Sequence, residues 1–112
     1  MYKRQIEEYS NIDVVMALND PAAMGALAAL DSKDARKGVL VYGIDGAPEG
    51  KKLIKEGMMT GTAAQSPKQM ADTAINAAYQ IFDGKKVPKK KVISVYMITK
   101  KNIEQTDISR WQ

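Results

Sequence analysis

Residues 39–44 read Val-Leu-Val-Tyr-Gly-Ile and run directly into Asp45-Gly46-Ala47-Pro48-Glu49. A short, almost wholly apolar run that ends in a turn pair and a proline reads as a strand buried on both faces, the habit of parallel sheets. Working outward, residues 49–56 read as a short helix with Leu53 and Ile54 inward and Gly57 as its stop. Upstream, residues 12–18 carry Val14 and Val15 as a first strand. The Ala-rich stretch 22–30 follows as a helix, with Met24, Leu27, Ala28 and Leu30 on one face. Downstream, residues 58–64 make a third strand, weakened by Gly61. Residues 67–82 make the clearest helix, with Met70, Ala74, Ala77, Ala78 and Ile81 at helical spacing and Gly84 as its end. Residues 92–98 read as a last strand, and residues 108–112 as a tail that the pattern leaves open. This alternation predicts an α/β fold, a three-layer α/β/α-type arrangement around a parallel sheet with right-handed crossovers. The apolar sides of 22–30 and 67–82 are expected to cover the strands.

The helix starts carry their own signals. Asp20 stands where an N-cap belongs, with Pro21 behind it, and Ser66-Pro67 repeats the device with Gln69 as capping-box partner. Ala47-Pro48 opens the middle helix without a side-chain cap.

Composition narrows the function. The chain has 112 residues, enough for one domain, with 17 basic and 13 acidic side chains, a net charge of +4, no Cys and no His. Disulfides, Cys-based metal sites, imidazole ligands and His-dependent nucleophiles are excluded. No serine lies in a G-x-S-x-G turn, and Gly43, Gly46 and Gly50 fit neither phosphate-loop spacing. Asp45 and Glu49 fall on a strand end and a helix's first turn, a poor glycosidase pair. The reading is therefore of a protein that is not an enzyme. The longest apolar run, 12–18, is broken by Asp13 and is far short of a membrane span. Lys85, Lys86, Lys89, Lys90 and Lys91 surround Val87-Pro88 without Arg or aromatic partners, which reads as a solvated turn rather than a nucleic-acid site. Met58, Met59 and Met70 read as apolar packing.

One constellation remains. Asn19, Asp45 and Gln65 each follow a successive strand just ahead of a helix-opening proline. In an open parallel sheet the carboxyl ends of the strands share one edge, where ligands bind, so the three should meet there. Two amides and one carboxylate supply donors and acceptors with a single charge, which suits hydroxylated ligands and repels phosphate. Each is also a residue type that caps helices or makes turns, so the two readings stand side by side.

Asn19-Asp20-Pro21 with Gly25-Ala26, then residues 41–46 (VYGIDG) with Pro48-Glu49, then residues 60–67 (TGTAAQSP) resemble the sugar-binding proteins of bacterial ABC importers. Within these the likeness is to the ribose- and galactose-binding group of type 1 periplasmic binding proteins, over about residues 12–104. The resemblance implies that Asn19, Asp45 and Gln65 hydrogen-bond a sugar or polyol without cofactor or catalysis. It also implies a permease as partner and a periplasmic or cell-surface location. It reaches only the last part of the second of two lobes, so residues 12–104 are expected to be a partial C-terminal lobe. Residues 1–11 would be a truncated lead-in that need not be native, and 105–112 a tail. Residues 1–5 (MYKRQ) carry two basic residues but no apolar stretch after them. An effector-binding lobe of a lactose-repressor-type regulator shares the pattern and is the alternative. A sheet cut at such a point is expected to expose a strand flank and self-associate, and half a clamshell to bind weakly.

Overall fold

A computed structural model describes residues 2–9, 11–30 and 37–111. In chain order the elements are α1 (Tyr2–Glu8), β1 (Val14–Met16), α2 (Asp20–Ala29), β2 (Leu40–Asp45), α3 (Pro48–Lys55), β3 (Gly61–Ala64), α4 (Pro67–Phe82), β4 (Tyr96–Thr99) and a 3-10 turn at Ile103–Gln105. The sheet has the order β1-β2-β3-β4. β1 pairs with β2 in parallel, Val14 opposite Leu40 and Met16 opposite Tyr42. β2 pairs with β3 in parallel, Tyr42 opposite Gly61 and Asp45 opposite Ala64. The α/β class and the three parallel strands are as the sequence reads.

Alternation along β2 sorts its side chains. Val41 and Gly43 are buried beneath the helices, whereas Leu40 and Ile44 are exposed. The helical side holds the core: Ala23, Leu27 and Leu30 from the α2 region, Ile54 of α3, Val41, Met59, Ala64, Ile98 and Ile103. The buried stripe of α2 runs through Asp20, Ala23, Ala26 and Leu27. Met24 and Ala28, expected on that face, lie off it and are exposed. Small residues line the stripe because α2 sits tightly on β2; a Cβ on Gly43 would come within 3.2 Å of Asp20 Cα. On the other side Val14, Met16, Leu40, Ile44 and Met97 are uncovered. Of the three layers expected, the described residues supply the sheet and one helical layer.

The last strand differs from expectation. β4 begins at Tyr96 and runs antiparallel to β3, Tyr96 opposite Ala64 and Thr99 opposite Gly61. The chain thus leaves the sheet after Ala64 and re-enters it at the same end. A parallel return needs a helix packed across the sheet to carry the chain to the opposite end. α4 does not do this: none of its side chains is buried, and Ile75, Tyr79, Ile81 and Phe82 are exposed. Its apolar face therefore does not cover the strands, contrary to the sequence reading.

The glycine stops of the helices hold. α3 and α4 close in Schellman turns: Met58 N donates to Leu53 O and Lys85 N to Gln80 O, across Gly57 and Gly84. The C-terminal tail is tied down by Lys51, fully buried on α3, whose Nζ donates to Asp107 O (2.6 Å) and Arg110 O. Burial holds the Lys51 amine below its ordinary range. No helix among the described residues is long and apolar enough to cross a membrane.

An isolated helix of this length is marginal in water, and amide protection follows tertiary burial. Hydrogen exchange followed by mass spectrometry should accordingly show Pro67–Phe82 exchanging faster than Asp20–Ala29. Equal protection of the two helices would contradict the packing described.

Candidate functional site at the carboxyl rim

The parallel pairing of β1, β2 and β3 sets their carboxyl ends on one rim, and Tyr96 at the start of β4 joins it by pairing with Ala64. At the end of β2, Asp45 adopts a φ of 128°, a region that side chains other than glycine rarely enter. Gly46 follows at φ 72°, and a Cβ there would come within 2.6 Å of Ala64 Cβ. Gln65 N donates to Asp45 O at 3.1 Å, so the structure sets these two residues side by side. Both are half-buried, and neither side chain has a hydrogen-bond partner among the described residues. A half-buried carboxylate and amide left open at a strand rim are groups available to a ligand.

Asn19 stands at the β1 end of the rim, two residues beyond Ala17, whose N donates to Tyr42 O at 2.9 Å. It is exposed, and it is the N-cap of α2: its Oδ1 accepts from Ala22 N at 2.8 Å. The cap commits the oxygen and leaves the Nδ2 donors unengaged among the described residues. Ser66 caps α4, accepting from Gln69 N at 3.3 Å, as its place before Pro67 predicts.

Asp20 corrects the sequence reading. It is not the cap of α2 but a fully buried carboxylate. Its Oδ1 accepts from Thr62 Oγ1 at 2.6 Å and its Oδ2 from Ala47 N at 2.8 Å. Thr62 Oγ1 in turn accepts from Gly46 N at 3.1 Å. Space for this carboxylate comes from two missing side chains, since a Cβ on Gly43 would overlap Oδ1 and one on Gly50 would lie 2.5 Å from Oδ2. Burial pushes the Asp20 carboxyl above its ordinary range against the pull of the Thr62 and Ala47 donors, and the neighbouring Asp45 adds to the rise. Nothing local in the sequence points to this role; the partner Thr62 lies 42 residues away. Tyr96, also on the rim, was not singled out by the sequence; partial desolvation raises its hydroxyl pKa although the residue is exposed.

A cleft of about 690 Å³, lined by Gly38, Leu40, Gly57, Met58, Thr60 and Lys100, lies at the opposite, amino ends of the strands and contains none of the three predicted residues. The half-buried polar side chains of Asp45 and Gln65 lie at the carboxyl rim, away from this cleft.

Residues 3–86 match the periplasmic binding protein domain family, and the chain belongs to that family. The chain is 34% identical over 92 residues to the ribose import binding protein of Salmonella typhimurium, an alignment covering 82% of this chain and 31% of that protein. It is 34% identical over 93 residues to the xylitol-binding protein of Mycolicibacterium smegmatis, covering 83% of this chain and 26% of that one. Among solved structures it is similar to an ABC transporter periplasmic solute-binding protein from Actinobacillus succinogenes with bound D-allose. That match has a TM-score of 0.87 and 27% identity, over 94% of this chain and 37% of the other. An ABC transporter solute-binding protein from Bacillus halodurans with bound myo-inositol gives a TM-score of 0.83 at 31% identity, over 93% of this chain and 36% of the other. The chain thus spans about a third of the length of these relatives.

Glycine enters the φ of Asp45 without a Cβ clash. Asp45→Gly should therefore raise the unfolding free energy in urea by about 1 kcal/mol, the low end of the cost of such strain. A destabilised Asp45→Gly chain would mean that the conformation carries no strain.

Proposed function

We propose that the chain is a sugar- or polyol-recognising lobe of a solute-binding protein serving ABC-type import, and that its role is binding without catalysis. The observation that carries this reading is the open Asp45 carboxylate, held at φ 128° beside Gln65 on the carboxyl rim. The carboxylate accepts from two neighbouring hydroxyls, while Gln65 and the Nδ2 of Asn19 give or take further bonds. Relatives named for their ligands are named for ribose, allose and xylitol, which supports a hydroxylated ligand. None of these names favours the repressor-type alternative. Residues 12–104 form the lobe, with a permease as the partner of the whole protein and the periplasm or cell surface as its place.

Affinity in the 112-residue chain is weak. One rim wets a ligand on its far side, and each hydrogen bond contributes only about 0.5–1.5 kcal/mol net, against the cost of immobilising a ligand. Titration of D-ribose, D-allose, xylitol and myo-inositol into the isotopically labelled chain should move the Asn19, Asp45 and Gln65 resonances with millimolar affinity for at least one of them. Asp45→Ala should abolish the shifts while leaving the β2 amides in place. Shifts confined to other parts of the chain, or none for any of the four, would sink the reading.

The chain also pairs with itself. Among the described residues nothing pairs with the outer flank of β1, three residues long, next to the uncovered Val14, Met16 and Leu40. Size-exclusion chromatography over a concentration series should show an elution volume that falls as concentration rises; a constant monomer would refute self-association.

A further inference from the structure

Asp20 satisfies no need of its own helix. Asn19 caps α2, yet Asp20 is taken wholly out of water immediately after it, an unfavourable place for a carboxylate unless donors are supplied. Both oxygens are spent on the segment that follows Asp45: Oδ2 on Ala47 N directly, Oδ1 on Gly46 N through the Thr62 hydroxyl, which donates to Asp20 and accepts from Gly46. Two glycines, Gly43 and Gly50, leave out the side chains that would displace the carboxylate. The next residue back along the chain from this anchored pair is Asp45, the one described non-glycine residue with positive φ. A strained backbone persists only where its surroundings over-determine it, and here the restraint comes from identifiable bonds.

The geometry points to Asp20 as a positioning residue: through Thr62 and the amides of Gly46 and Ala47 it locks the turn after β2, so that Asp45 is held with its carboxylate presented at the rim. This deepens the proposed binding role of that rim and rests on it for its functional meaning. The lock itself is a property of the ligand-free chain.

NMR of the 112-residue chain tests it. In the wild type, the Gly46 and Ala47 amides should exchange as slowly as those of Val41 and Tyr42. Asp45 should show the small amide-to-Hα coupling that its φ dictates rather than the large one of an ordinary strand. Thr62→Val removes the bridging hydroxyl, and Asp20→Asn weakens the acceptor while keeping its shape. Each should speed Gly46 exchange at least tenfold and raise the Asp45 coupling, with Val41 and Tyr42 still protected, whereas Thr62→Ser should behave as wild type. A Gly46 amide that exchanges freely in the wild type overturns the lock, whatever the variants do. An unchanged Asp45 coupling in folded Thr62→Val and Asp20→Asn, or a Thr62→Ser chain that behaves like Thr62→Val, overturns it equally. D-Ribose, D-allose, xylitol and myo-inositol added to the same samples separate the two claims. Binding lost in Thr62→Val and kept in Thr62→Ser is the expected result. A wild type with the locked Asp45 that binds none of the four overturns the functional reading alone.

Discussion

The buried carboxylate of Asp20 is the constraint around which the rest of the molecule is arranged. It sits at the start of α2 against β2, α3 and β3, and its surroundings make room and supply donors for it. β2 gives up a side chain at Gly43, α3 gives one up at Gly50, β3 supplies the Thr62 hydroxyl, and the loop before α3 turns Ala47 N inward. A buried acid without such partners would cost several kcal/mol, so these features stand or fall together. The closeness of α2 to β2, and with it the dense Ala-rich stripe of the helix, follows from the same contact.

That arrangement leaves the two ends of the sheet unlike each other. At the amino ends the strands frame an open cleft whose lining includes Lys37, Glu56, Thr60 and Lys100. At the carboxyl ends the side chains of Asp45 and Gln65 and the Nδ2 of Asn19 have no hydrogen-bond partner among the described residues, and the main chain beneath them is anchored by internal hydrogen bonds. Rigid backbone under open side chains is the arrangement that limits the entropy lost when a small polar ligand binds.

The uncovered sheet face and the unburied α4 are complementary aspects of one fact. Here an amphipathic helix and an apolar sheet face belong to the same chain, yet neither buries the other. The chain between Ala64 and Tyr96 makes an excursion from the rim and comes back to it, so the helix never crosses the strands. Hydrophobic periodicity records that a face must be buried; it carries no information about which surface does the burying.

Much of this was legible in the amino-acid sequence. The apolar run 39–44, the prolines at the helix starts, Gly57, Gly84 and Ser66 specify strands, helices and caps through local chemistry, and local chemistry acts over a few residues. The placement of Asn19, Asp45 and Gln65 along one rim was legible too, because parallel strands put their carboxyl ends together whatever the side chains are. Three things were decided only in the folded chain. Asp20 became an interior anchor because Thr62 and Ala47, distant in sequence, arrive beside it. β4 turned antiparallel because α4 does not pack across the sheet and the chain re-enters at the end it left. Asp45 took a backbone conformation that side chains other than glycine rarely enter, next to residues bonded to Thr62 of β3 and Asp20 of α2. Each depends on long-range contacts, and those exist only once the elements have packed.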